Sequence, residues 1–446
     1  SRYTNGSYRF AYNNFLDLKK IIPKLKQSKK IDYGKYPKRS FYDDMIKVTK
    51  NKTDKKLTKT LVNDSHEVIY WLSKKGLKFV PIKGKQSFVV NGVTKYWGGL
   101  TLEVKNQGEG LVKSLTNIAK KNGIKIKYEV AAKKLIKKNN EIKGIGVLNK
   151  GKKELILCNS VILACGGFEA NSKMRSKYLG KGWDKAKVRG TKHNTGDGLT
   201  MAFEHNAARY GEWNGCHAVF HDLNGPKFSD LKIAAKYRKI SYPWGIVLNA
   251  NGERFVDEGE DLRNYTYAKF GREVIKQPKQ FAWQIFDQKV RPMLYNEYDV
   301  KSATKVKANS LEDLVKKLKG VNANKALSTI LKYNQSVNTK VKFDPTIKDG
   351  KNTKGLKINK SNWANKIDKS PFYAFGVTCG ITFTFGGLKI NNKCEVLDNK
   401  EKPIKGLYAA GEMVGGIFYL NYPGGSGLMS GSVFGRIAGK YAAKLS

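Results

Sequence analysis

The sequence predicts an α/β protein in which one sheet-and-helix domain is split by an inserted α+β domain. Three observations carry that reading. A continuously apolar run, Val161–Cys165, passes straight into Gly166-Gly167 and a helical stretch. A second run, Gly406–Glu412, also ends in glycine and leads into the glycine-rich Pro423–Gly427. Between residues 213 and 380 the texture changes, with prolines and mixed aromatic and polar residues replacing regular patterning. A run apolar at every position suits a strand buried on both faces. A buried strand, paired glycines and a helix start form the turn by which α/β proteins bring a nucleotide close to backbone.

Taken in order, residues 37–75 place Tyr42, Met45, Ile46, Val48, Leu61, Val62, Val68, Ile69 and Leu72 at helical spacing. Phe79–Tyr96 reads as short strands around the turn Asn91-Gly92. Gly108–Asn122 predicts a helix with Leu111, Leu115, Ile118 and Ala119 on its inner face, and Ile124–Val130 a strand. Glu141–Leu148 and Lys153–Cys158 predict two more strands before Val161–Cys165, and Ala170–Leu179 a helix. In the inserted region Leu311–Leu318 and Ala323–Asn334 predict helices. Leu388–Ile390 and Glu395–Leu397 predict a hairpin, and Leu428–Leu445 a long helix whose start is crowded with small residues. That start would favour negative charge through its free N–H groups and dipole. The expected domains are 1–212 and 383–446 as one body and 213–382 as the insertion.

A chain of 446 residues is long enough for two domains. It contains no apolar run of about 18 residues that would cross a membrane, and SRYTNGSYRF has no apolar signal-peptide core. Cys158, Cys165, Cys216, Cys379 and Cys394 form no CxxC pair and sit in apolar contexts, so buried thiols of a reducing, cytoplasmic compartment are expected. Lys+Arg number 84 and Asp+Glu 37, a net charge of +47. The lysines are spread along the whole chain with no nucleic-acid-binding module beside them, which argues against a nucleic-acid partner. A field of this sign concentrates anionic small molecules instead.

Five stretches occur in one order: ILACGGFEAN, HNTGDGLTMA, NGERFVDEG, GLYAAGEMVGG and NYPGGSGLMSGSVFGRIAG. Together they resemble the FAD-binding superfamily of fumarate reductase and succinate dehydrogenase flavoproteins. The stretch from Asp257 to Asp287, with TCGITFTFGGL, is more similar to FAD-dependent tricarballylate dehydrogenases. The resemblance implies a Rossmann-like FAD/NAD(P)-binding domain with an inserted capping domain. It also implies FAD as cofactor, dehydrogenation of a polycarboxylate at a CH–CH bond with hydride passing to flavin N5, and a quinone or membrane-bound electron acceptor, so that the protein could lie at a membrane periphery. The family opens with a GxGxxG turn that no stretch here matches. Ser1 and Arg2 then fall where the pyrophosphate lies, and the first βαβ unit is expected to be missing. Val130 is implied near the adenine. Gly166, Gly167, Asp197, Gly411, Glu412, Ser426, Gly427 and Leu428 are implied around the flavin and its ribityl chain. Asp197, between two glycines, also reads as an ordinary turn residue.

For the chemistry, Arg263 falls at the family's proton-transferring arginine and His217 at its first carboxylate-binding histidine. Arg263 reads equally as a carboxylate clamp, since a free arginine is a poor base. A metal site from His217, His221, Cys216 and Asp222 lacks a third convergent ligand. The family's second histidine appears here as Thr382 or Thr384, its substrate arginine as Tyr422, and its acid–arginine relay as Arg238 and Ser241. These changes favour another acid over fumarate, gripped by Arg238, Arg263 and Arg272 with Tyr373, Tyr422 and the threonines. The competing expectations are a fumarate reductase or succinate dehydrogenase, a 3-oxosteroid dehydrogenase-type flavoenzyme, and an inactive fragment that holds no FAD.

Overall fold

The computed structural model describes residues 2–82, 87–96, 102–231 and 236–445. It divides into two compact units, Ser1–Gly180 with Lys192–Cys216 and Phe383–Ser446, and Lys181–Thr191 with His217–Thr382. The segment Lys181–Thr191 joins the second unit, not the first as the sequence suggested. Its strand Lys187–Val188 pairs in parallel with Gly380 and Ile381 of the long strand Phe372–Thr384.

In the first unit, helix Lys55–Lys74 starts where the Asp54 carboxylate accepts from the N–H groups of Lys56 and Leu57. It buries Leu57, Leu61, Val62, Val68, Ile69 and Leu72 along one stripe. The C-terminal helix Ser426–Ala442 packs against it and buries Met429, Val433, Phe434 and Ala438. Arg9, fully buried, donates from Nε to the Gly424 carbonyl at 2.8 Å and from Nη1 to the Tyr36 hydroxyl at 2.8 Å. It thereby ties the N-terminal strand to the loop ahead of that helix. Val161–Leu163 runs parallel beside Pro403–Ala409, which pairs antiparallel with Glu395–Leu397. The hairpin turns of the neighbouring meander, Val130–Lys138, Glu141–Asn149 and Lys152–Leu157, fall at Asn139-Asn140 and Lys150-Gly151. Both pairs adopt positive φ, the conformation tight two-residue hairpins require.

Three expectations fail here. Val161–Cys165 is not buried on both faces: Ile162 is 39% exposed, and Cys165 is exposed with Cys158 intermediate, so these thiols are not core residues. The strand expected over Ile124–Val130 begins only at Val130, and Ile124 and Tyr128 face solvent. The helix Gln107–Lys121 buries only Gly108 and Leu111 of its apolar face. In each case apolar spacing predicted burial that no neighbouring element supplies.

The second unit is built on the 13-residue strand Phe372–Thr384, with Ala282–Phe286 antiparallel beside it and Ile246–Asn249 beyond. Cys216–Asp222 and Lys305–Ala308 also pair with the long strand. Helices Leu311–Lys316 and Ala323–Ser336 cover one face through Leu314, Val315, Ala326 and Ile330. No helix among the described residues is long and apolar enough to cross a membrane.

Candidate functional site

The first unit assembles a cradle from two glycine-ended turns. Pro403–Ala409 delivers the 3₁₀ turn Gly411–Met413, and Gly425, at φ 87°, opens helix Ser426–Ala442. Gly411 and Gly431 pack against one another. A Cβ built on either would meet only the other's Cα, at 3.9 or 3.8 Å, and one on Gly427 would meet nothing closer than 3.8 Å. Ser430, 2% exposed, keeps its Oγ without a partner one turn into the same helix. Ser426 spends its hydroxyl on the Pro423 carbonyl at 2.6 Å, leaving its backbone, with Gly427 and Leu428, at the helix start. Among these, sequence reasoning missed Ser430, which sits inside a helix where nothing in the pattern separates it from packing residues.

The paired glycines after Val161–Leu163 do something different from what was expected. The space over Gly166 is filled by the Asn194 amide, 2.6 Å from where a Cβ would stand. Over Gly167 stand Thr384 Oγ1 and Glu412 Oε1, at 2.1 and 2.3 Å from a would-be Cβ. These glycines admit protein side chains. Glu412 Oε1 accepts from the N–H of Thr384, expected as a substrate-binding residue, at 2.8 Å and from its hydroxyl at 3.3 Å. Asp197 is exposed at the first turn of helix Asp197–Phe203 and accepts from the Thr195 hydroxyl at 2.9 Å. Val130 begins its strand opposite Asn149, and Arg2 is exposed in a turn. Ser1 lies outside the described residues. Tyr422 is packed edge-on against Phe383 and Phe418, at 5.1 and 5.5 Å between ring centres.

The second unit gathers cations. His217 lies on the fully buried strand Cys216–Asp222. Burial first, then the guanidinium groups of Arg189, Arg238 and Arg272, hold it well below the ordinary histidine range, so it is neutral at physiological pH. Arg189 Nη1 donates to Thr382 Oγ1 at 3.0 Å, and its backbone N–H donates to the Ile381 carbonyl at 2.7 Å. Arg189 had no distinguishing mark in so basic a chain, and only strand pairing brings it here. Arg238, expected to meet substrate, donates to Glu297 Oε1 at 2.8 Å in a buried ion pair. Arg263 opens the 3₁₀ turn Arg263–Tyr265, 7% exposed, with its guanidinium 5.1 Å above the Tyr295 ring. Tyr373 is not part of this group. It stands nine residues from Thr382 on one strand, about 30 Å away at strand rise, with its hydroxyl on Gln288. His221 follows His217 by four positions on a strand, about 13 Å along it, so the two do not converge on one ion.

Residues 28–428 match the FAD binding domain family. The chain belongs to this family. Probable fumarate reductase Ifc3 of Shewanella frigidimarina (strain NCIMB 400) is 30% identical over 410 residues, covering 91% of this chain and 64% of that protein. The chain thus spans less than two thirds of that relative's length. Among solved structures, the open conformation of a flavocytochrome c3 fumarate reductase superposes with a TM-score of 0.70 at 25% identity, covering 99% of this chain and 71% of that one. The 3-ketosteroid delta1-dehydrogenase from Sterolibacterium denitrificans superposes with a TM-score of 0.74 at 19% identity, covering 100% and 92%. That last likeness is one of fold.

FAD is the cofactor of this FAD-binding domain, and the first unit's residues fit it. Gly411, Gly427 and Gly431 add no Cβ of their own, so a flat ring can approach the backbone at the helix start. The partnerless Ser430 hydroxyl needs a polar neighbour. The 17-residue helix from Ser426 presents free N–H groups to negative charge, and Glu412 offers an acceptor for a sugar or ribityl hydroxyl.

Proposed function

We propose that this FAD-binding domain and its capping unit form the catalytic part of an oxidoreductase that dehydrogenates a tricarballylate-like polycarboxylate at a CH–CH bond. The observation that carries the reading is the grouping of Arg189, Arg238 and Arg272 around neutral His217, with Thr382 beside Arg189. Guanidinium groups bind carboxylates through paired N–H donors. A polycarboxylate needs several such donors. Bound FAD supplies the two-electron acceptor for the hydrogen leaving one carbon. The neighbouring carbon's proton must pass to a side chain, and we assign that task to Arg263. It is buried, with its guanidinium fixed over the Tyr295 ring. His217, neutral, orients a substrate carboxylate by hydrogen bonding and does not exchange protons itself. A quinone or membrane electron carrier then reoxidises the flavin.

Anaerobic mixing of the FAD-loaded protein with tricarballylate should bleach the flavin absorbance. An unchanged spectrum with every tri- and dicarboxylate tried would refute the reading. Fumarate reduction is the second reading, favoured by the identity to probable fumarate reductase Ifc3. It predicts that fumarate, and not the enoate of tricarballylate, reoxidises the reduced flavin. A 3-oxosteroid substrate suits this cap poorly, because its neutral skeleton offers no carboxylate to the clustered guanidinium groups.

A further inference from the structure

Glu169, two residues beyond Gly167, is 2% exposed, and a carboxyl group is seldom so deeply buried without a partner. Its Oε1 accepts from the Asn194 amide at 2.6 Å. Its Oε2 is buried and receives no N–H or O–H donor. The Glu169 side chain lies within hydrogen-bonding reach of the Glu412 carboxyl. Two ionised carboxylates offer each other only acceptors, so this contact requires a proton.

Where the proton sits follows from the surroundings. Burial raises the Glu412 carboxyl too, but the N–H and hydroxyl of Thr384 and the Gly167 N–H favour its ionised form. Glu169 receives the Asn194 amide and its own backbone N–H. Burial, followed by repulsion from Glu412, pushes it well above the usual carboxylate range. The charged and titratable groups packed around the pair come from three elements. Arg175, on helix Ser172–Leu179, donates to the Glu169 backbone carbonyl and not to the carboxyl. Cys165 ends the strand before Gly166, and it has both Glu412 and Asp197, from the start of helix Asp197–Phe203, as charged neighbours. The missing Cβ of Gly167 makes room for this assembly, since any larger residue would collide with Thr384 and Glu412.

We propose that Glu169 is a neutral carboxylic acid that positions Glu412, keeping it ionised and aimed at a hydroxyl of bound FAD. It acts through Glu412 and does not touch the cofactor. When rising pH removes the shared proton, two adjacent carboxylates repel, Glu412 loses its orientation, and FAD affinity falls.

The test is FAD binding to the stripped protein, followed by flavin fluorescence at successive pH values, together with infrared spectra of the carboxyl region. Wild type should show the carbonyl stretch of a protonated carboxylic acid, and Glu169→Gln should abolish it. Because glutamine keeps a neutral donor, Glu169→Gln should bind FAD as wild type does near neutrality and lose the decline with pH. Glu169→Ala should bind about tenfold more weakly, equivalent to about 1.4 kcal/mol. The proposal is overturned if no such band disappears in Glu169→Gln, or if Glu169→Ala, folded by circular dichroism, binds FAD as wild type does. Neither measurement involves substrate, so its outcome is independent of the carboxylate reading.

Discussion

The Arg189 guanidinium and the Thr382 hydroxyl meet at 3.0 Å, brought together by the parallel pairing of Lys187–Val188 with Gly380 and Ile381. Arg189 has part of its fork held by Thr382 and lies beside a neutral His217, which suits it to grip a carboxylate. Arg189→Lys keeps the charge but loses the fork geometry. We expect KM for the carboxylate substrate to rise roughly tenfold to a hundredfold, the size of one or two lost charge-assisted hydrogen bonds. Thr382→Val should have a smaller effect in the same direction. Steady-state kinetics with tricarballylate and fumarate checks both, and an unchanged KM in Arg189→Lys would remove it from the binding group.

Filling the cradle should separate cofactor binding from folding. At Gly431 a Cβ would make ordinary contact with the Gly411 Cα at 3.8 Å, and alanine is a better helix former than glycine. Gly431→Ala is therefore expected to keep or slightly raise the melting temperature of the FAD-free protein while weakening its binding of flavin, read from the visible spectrum. Undiminished FAD binding in this variant would place the ring elsewhere.

Lys360 makes stability depend on pH. Its Nζ is fully buried and donates to the carbonyls of Pro243 and Gly245 at 2.8 and 2.7 Å, and burial lowers its pKa from 10.5 to about 8. Below that value folded and unfolded chains both carry the proton, and the full cost of burying the charge is present. Between about 8 and the ordinary lysine value the unfolded chain holds more protons than the folded one, so this group makes stability rise with pH. Urea unfolding across that window should show the rise in wild type and a flatter dependence in Lys360→Met. An identical slope in both proteins would contradict it.

Arg238 and Glu297 form a buried pair, with side chains 6% and 8% exposed. Removing one partner strands the other, so Glu297→Ala should cost about 3–5 kcal/mol. The double variant Arg238→Met, Glu297→Leu should be less destabilised than Glu297→Ala, which chemical denaturation of the three proteins would measure. A double variant as unstable as the sum of its singles would mean that the two residues do not act as a pair.

Much of the cofactor half was legible in the sequence because its signals are local. The strand Pro403–Ala409, its terminal glycine, the glycine-rich turn and the helix from Ser426 follow one another within 40 residues of chain. The cap was harder to read, since its sheet joins segments from Lys187 to Thr384 and its helices are short. Apolar spacing also misled at Ile124, Ile162 and Leu115, which are exposed. Spacing reports which face could be buried and not whether another element covers it.

By itself, then, the sequence determined the class of fold, the two glycine-ended turns and the family to which they belong, because each depends on residues adjacent in the chain. Tertiary structure alone decided which charges meet. It gave Arg238 to Glu297, turned Thr384 and Thr382 to different tasks, brought Arg189 beside His217, and set Glu169 against Glu412. Those pairings join positions 28 to more than 240 residues apart, and electrostatic and hydrogen-bonding energies depend on distance in space, which spacing along the chain does not report.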